Sequence, residues 1–234
     1  MNLPNKTVLS FTEQYLINDE INSVYFIDLQ SFCRSLIDKE YSKIINSKKS
    51  IVFSDGFTVH KLLKNKGSVY FPGPEFLKSL FFNVDSLLFL GPSKDSIIKL
   101  REVLKNINVD VTVDLLNIPF YTDITELDLE SLVNKIIKKD IRHIAVILGC
   151  PKQEVLISKL TNEIDGLIFY GLGAAFNFFI ESEVRGPKIF RTLKLEWLVR
   201  LLIHPKKQIP KYRLILKAIP SLFKYYIKSR FYKF

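Results

Sequence analysis

Two short stretches of this 234-residue sequence set chemistry-bearing side chains directly after apolar runs. In "SIVFSDG", Asp55 follows Ile51, Val52, Phe53 and Ser54 and precedes Gly56. A carboxylate at the carboxyl end of a strand, beside a glycine that lets a ligand approach, is placed for general-base work. The same dipeptide also makes a plain Asp-Gly turn, and taken alone the turn is the weightier reading. In "AVILGCPKQE", the run from Ala145 to Gly149 gives way to Cys150, Pro151, Lys152, Gln153 and Glu154. The spacing predicts a helix opening near Pro151, whose first amides and dipole suit a phosphate. Gln153 and Glu154 then offer hydrogen bonds to a sugar or base. An ordinary strand–helix connection, with Pro151 at the first helical position, accounts for the same residues about as well.

Other candidates are weaker. A helix N-terminus would lower the pKa of Cys150, but His143 lies a strand length away, so Cys150 reads as a small buried residue. His60, His143 and His204 have no metal-ligand spacing, and no Walker loop is present. "GLGAAFNFF" sets Gly171 and Gly173 between a strand and a helix. As G-x-G alone it is half a dinucleotide fingerprint, and close helix–strand packing explains it better. "EVRGPKIFRTLKLEWLVRLLIHPKK" crowds Arg185, Arg191 and Arg200 around Trp197. Guanidinium forks suit a diphosphate, against the plainer reading of a solvated basic helix with Trp197 in a core.

The elements that must position these groups follow from hydrophobic periodicity. "SIVFSDG", "SLLFLGPS", "VDVTVDLL" (Val109 to Leu116), "HIAVILG" and "DGLIFYGLG" read as strands. Helical spacing over Ser93 to Asn106 and Leu127 to Lys139 separates some of them. Strand and helix in alternation predict an α/β fold: a Rossmann-like parallel sheet with helices on both faces, and ligands outside the carboxyl ends of the strands.

Composition bounds the rest. The chain is 47% hydrophobic and 25% charged, which supports one sizeable core and argues against disorder. Two cysteines exclude a disulfide scaffold and a four-cysteine zinc site and fit a reducing compartment. "MNLPNKTVLSFTEQ" lacks the layout of a signal peptide, and the longest nearly uncharged run, Gly166 to Ile180, is too short to cross a bilayer.

The net charge of +10 is unevenly placed. From Arg185 onward there are 14 Lys and Arg against Glu196 alone, so the preceding body is about −3 and the tail about +13. Pro205, Pro210 and Pro220 predict a tail of short helices. On the last one, Leu222, Phe223, Tyr226 and Ile227 would share a side opposite Lys224 and Lys228, as in a segment lying on an anionic membrane. The expected organisation is a core over 1–195 and a basic amphipathic appendage over 196–234.

Taken in order, "FSDGFTV", "GCPKQE", "GLGAAFNFF", "VRGPKIF", "LEWLVRLLIHP" and "KYR" resemble the WecG/TagA/CpsF glycosyltransferases, glycosyltransferase family 26, from about Phe53 to Arg213. The resemblance implies an inverting, metal-independent enzyme with no cofactor. It would use a UDP-sugar, often of the N-acetylmannosamine type, and a sugar acceptor carried on a polyprenyl diphosphate at the cytoplasmic face of the membrane, in cell-surface polysaccharide synthesis. It makes Asp55 the base. Gly56, Gly73, Pro151, Lys152, Gln153, Glu154, Gly171 and Gly173 would be donor-binding. Arg185, Arg200, Lys206, Lys207, Lys211 and Arg213 would face the acceptor diphosphate or the membrane.

The sequence departs from the family pattern at Tyr70 and Glu75, where an Arg and an Asp are usual, near Asp28 to Gln30, where an Asn is usual, at Ile118 to Phe120, and at Asn177. A non-catalytic scaffold that binds a nucleotide sugar or a lipid diphosphate is the alternative reading. Nucleic acid is not expected as a partner, because the bases lie in an aromatic-rich tail. The sequence leaves homo-oligomerisation open.

Overall fold

Short apolar runs build a parallel sheet whose inner strands are buried on both faces, whereas the edge strand that starts at Thr112 is buried only at Val113. The computed structural model describes residues 21–63, 69–119, 121, 123–180, 201–203 and 205–231. Strands β1 (Ser23–Ile27), β2 (Ser50–Ser54), β3 (Ser86–Leu90), β4 (Thr112–Leu116), β5 (His143–Val146) and β6 (Ile168–Gly171) form one sheet in the order β2-β1-β6-β5-β3-β4. Every neighbouring pair is parallel. The helices are α1 (Leu29–Ile37), α2 (Lys39–Ile45), α3 (Phe57–Leu63), α4 (Gly73–Phe81), α5 (Lys94–Asn106), α6 (Leu129–Ile137), α7 (Lys152–Glu163), α8 (Ala174–Phe179) and α9 (Pro205–Phe231).

Successive strand residues point to opposite faces, and the cores divide accordingly. Val24, Phe26, Leu87, Phe89, Ala145 and Tyr170 pack under α4, α5 and α8. Tyr25, Ile27, Leu88, Leu90, Val146 and Phe169 pack under α1, α2, α6, α7 and α9. The α/β sheet with helices on both faces is therefore as the periodicity predicts. Two bounds are narrower than expected. β4 begins at Thr112, and α6 begins at Leu129 because the Asp128 carboxylate caps it by accepting from Ser131 N. β1, α1 and α2 complete the sheet and its second face.

The tail corrects the sequence reading. Pro210 and Pro220 lie inside one continuous helix, α9, which Pro205 opens. Each internal proline removes a backbone bond, but docking along α1 holds the helix together. Ala218 is fully buried, Leu222 and Tyr225 join the second core, and the Tyr225 ring meets Phe32 edge-on with centroids 5.2 Å apart. Leu222 thus faces inward and does not share a side with Phe223. The outward apolar row is Leu216, Ile219, Phe223, Tyr226 and Ile227, with Leu216 and Phe223 63% and 64% exposed. These positions recur at three- and four-residue intervals and so form one stripe. Exposed Arg213, Lys217, Lys224 and Lys228 run beside it. Among the described residues no helix is long and apolar enough to cross a membrane.

The docking makes a direct prediction. Ala218→Leu adds volume where α9 meets α1 and should cost about 1–3 kcal/mol. A urea titration should show a lower midpoint at an unchanged slope. An unchanged midpoint would mean that α9 is not held there.

Candidate active site

The carboxyl ends of the strands form one rim, and the two motifs lie along it. Ile27 and Ser54 are register partners, so Asp28 and Asp55 are the first residues past adjacent strands, and Asp55 N donates to Ile27 O at 2.9 Å. The P-K-Q-E segment follows β5. β2 and β5 are separated by β1 and β6, three strand spacings or about 14 Å. That is room for an extended, two-part ligand.

Asp55 lies between two helix starts. Gly56, at φ +119°, turns the chain into α3, a conformation glycine adopts without strain. On the other side, a Cβ at Gly73 would stand 3.9 Å from Asp55 Oδ2 and 2.7 Å from the Ala175 Cβ. Gly73 therefore lets α4 and α8 meet beside Asp55. Asp28 is occupied structurally: its Oδ1 caps α1, accepting from Ser31 N at 2.8 Å and Ser31 Oγ at 2.9 Å.

Gln153 and Glu154 are buried beneath the rim. Gln153 Oε1 accepts from Gly149 N at 3.2 Å, and its Nε2 donates to Gly171 O at 3.1 Å and Glu154 Oε1 at 3.0 Å. This amide ties the end of β5 to the end of β6. It also explains the two glycines. A Cβ at Gly173 would come 2.9 Å from Gln153 Oε1, and one at Gly171 would come 3.3 Å from Nε2. The spacing G-x-G thus clears the Gln153 side chain and starts α8, in keeping with the packing explanation of that motif.

Glu154 Oε2 is buried with no hydrogen-bond partner among the described residues. Burial, against the Gln153 amide and helped by the Asp28 carboxylate, pushes its carboxyl up to about 7. Cys150 Sγ donates to Tyr41 Oη at 3.5 Å, and burial beside Glu154 raises the thiol to about 11. A thiol so protonated is no nucleophile at neutral pH. Pro151 is the N-cap of α7, and its peptide bond with Cys150 is cis. The Lys152 ammonium donates to Tyr121 O and stands 4.9 Å from the Tyr121 ring centroid, so it ties down the segment after β4.

His143 lies at the opposite end of β5 from Cys150, 2.9 Å from Tyr170 Oη, and burial lowers it to about 4, with Arg142 adding to the effect. A depression of about 570 Å³ beside Arg101 and Asp110 and a smaller one beside Asn22 and Arg142 open at the amino side of the sheet. Neither holds a residue of the motifs. Parallel sheets bind ligands at the carboxyl ends, so the rim, although less hollow, is the candidate site. Lys206 and Arg213 are exposed on α9 and Lys211 is half-buried. Arg185, Arg200 and the Lys207 side chain lie outside the described residues. Among the described residues no three His, Cys, Asp or Glu side chains gather as a metal-holding group.

The sequence marks Asp28 only as a departure from the family pattern and not as a helix cap, and it leaves unmarked Tyr25 and Tyr41, which are buried against Gly171 and Cys150. An Asp followed three residues later by Ser, as at Asp28–Ser31 and Asp128–Ser131, is a legible helix-capping signal.

A wound parallel α/β sheet with an acid at one strand end and a helix start at another defines an α/β protein whose ligand site is the carboxyl rim. The chain belongs to the glycosyl transferase WecG/TagA/CpsF family, whose model matches residues 2–233. It is a glycosyltransferase. It is similar to proteins named N-acetylglucosaminyldiphosphoundecaprenol N-acetyl-beta-D-mannosaminyltransferase from Staphylococcus aureus strains NCTC 8325 / PS 47, COL and MSSA476. Each is 27% identical over 221 residues, which cover 87% of this chain and 82% of the relative.

The raised Glu154 has a stability consequence. A group whose folded pKa lies above its unfolded value of 4.5 contributes stability below that value and loses it as pH rises through about 7. Glu154→Gln removes the titration and keeps an acceptor for Gln153. Its stability relative to the parent should therefore rise between pH 5 and 8, by up to about 3 kcal/mol. Parallel urea midpoints for the two proteins across that range would contradict the buried-acid account.

Proposed function

We propose that this enzyme transfers an N-acetylhexosamine of the N-acetylmannosamine type, or a hexose, from UDP to a sugar carried on a polyprenyl diphosphate, with inversion, in cell-surface polysaccharide synthesis. The observation that carries the reading is Asp55, on the same rim as the P-K-Q-E helix start in a chain of this family. The acceptor hydroxyl oxygen attacks the anomeric carbon as the bond to UDP breaks. UDP leaves with the bonding pair, and the hydroxyl proton passes to Asp55. The amino end of α7 offers dipole and amide stabilisation to the departing diphosphate. Gln153 and Glu154 support that helix start from below.

The test is product formation by mass, using a panel of UDP-sugars and a short-chain lipid diphosphate bearing one sugar. Asp55→Asn should lower turnover about 10²- to 10⁴-fold, the usual contribution of a positioned base. Full activity in that variant would remove Asp55 from the mechanism. UDP binding without turnover in the parent would favour the scaffold alternative.

The outward stripe of α9 supports seating on an anionic membrane, where each base near the surface contributes about 1 kcal/mol. Truncation after Leu202 is a poor test, because it would strip Leu222 and Tyr225 from α1 and uncover Phe32. Leu216→Glu with Phe223→Glu leaves the docked side intact. The double variant should no longer sediment with vesicles containing anionic lipid, and undiminished sedimentation would contradict membrane seating by this stripe.

A further inference from the structure

The wall beside Asp55 is aromatic, and its construction is unusually constrained for an exposed residue. Val69, Tyr70 and Phe71 extend the sheet past β2: Ser54 N donates to Val69 O at 3.0 Å, Phe71 N donates to Ser54 O at 3.2 Å, and Tyr70 is bridged to Ser54 in parallel. Alternation along this extension sends Phe71 inward, onto Phe53 and Phe76 with centroids 5.6 and 5.3 Å away. It sends Tyr70 outward, where it is 41% exposed.

Behind Tyr70 stands His60, its ring centroid 5.6 Å away at an interplanar angle of 49°. The imidazole is oriented in turn. Ser54 Oγ donates its one hydrogen to Val69 O at 3.0 Å, which leaves that oxygen to accept from His60 Nδ1 at 3.4 Å. Burial first, then the Asp55 and Glu75 carboxylates, raise the Tyr70 phenol above its ordinary value, so it stays a neutral hydroxyl next to the base.

We propose that Tyr70, backed by His60, is a specificity-determining platform on which the acceptor's sugar ring lies while its hydroxyl meets Asp55. The pyranose presents a face of C–H groups with partial positive charge, and an aromatic face carries partial negative charge. Stacking of this kind holds the ring flat and leaves its hydroxyls free to be aimed. Tyr70 adjoins the residue that takes the acceptor's proton, so the sugar it contacts is the acceptor's. The inference rests on the reading of Asp55 as base.

The experiment reads binding and needs no turnover, so an inactive parent enzyme would count against the proposed function alone. The full chain is titrated calorimetrically with a short-chain prenyl diphosphate bearing one N-acetylglucosamine, and with the same lipid diphosphate without sugar. The parent should bind the glycosylated probe at least about tenfold more tightly, a difference of about 1.4 kcal/mol. Tyr70→Ala and Tyr70→Leu should bring the ratio to about threefold or less, while Tyr70→Phe, which keeps the ring, restores it. No preference in the parent, or a full preference in both ring-less variants, would overturn the proposal. Loss in those variants of a preference for UDP-sugar over UDP, with the acceptor ratio unchanged, would also overturn it, because the platform would then serve the donor.

Discussion

The buried side-chain amide of Gln153 is the constraint on which the site depends. Backbone pairing carries the sheet only a residue or two past the strand ends, as where Leu172 N and Gly173 N donate to Val146 O. Gln153 adds a side-chain tie beyond that point, linking Gly149 N to Gly171 O and taking Glu154 as a third neighbour. The residues that look most exposed and chemical in "PKQE" are thus partly a brace. They hold the α7 start and the β6–α8 turn at a fixed separation. Catalysis that relies on positioned dipoles needs such rigidity. The brace also favours glycine at 173, where φ is +47° and a Cβ would come 2.9 Å from Gln153 Oε1, and leaves little room for a side chain at 171, so the two motifs form one structural unit.

That unit was only half legible in the sequence. The runs ending at Gly91, Gly149 and Gly171 announced strands, because an apolar run stopped by glycine has few other readings. β1, "SVYFI", is equally buried but ends in Asp28 with no glycine, and its five residues carry no period that separates strand from helix. The burial of Gln153 and Glu154 was hidden for a different reason. Their types are mostly found at the surface, and only the internal partners that the fold supplies make burial tolerable. Asp55 was placed correctly at a strand end from its neighbours alone. Its surroundings, Gly73 against Ala175 and Tyr70 against His60, come from segments brought together by the crossovers.

The tail shows the opposite failure, in which a strong local rule lost to tertiary packing. Three prolines spaced five and ten residues apart argue for short helices. The apolar side of the segment docks on α1, and the contact at Ala218, Leu222 and Tyr225 outweighs two missing backbone bonds. Docking then sorts the helix into three strips: one buried, one apolar and exposed, and one basic. The charge asymmetry was legible from composition, but which apolar residues remain outside was not. Phe32, which meets Tyr225, lies in the first turn of α1, just past Asp28 at the rim. The tail is therefore packed beside the carboxyl ends of the strands, on the same side of the molecule as the rim.

A crystal structure of the chain with UDP tests the central claim, that the rim at the carboxyl ends is the site. The account predicts the diphosphate over the amino end of α7, between Gly149–Pro151 and Gly171–Gly173, with the open side toward Asp55. A nucleotide bound at the amino side of the sheet, beside Arg101 and Asp110 or beside Asn22 and Arg142, would contradict it.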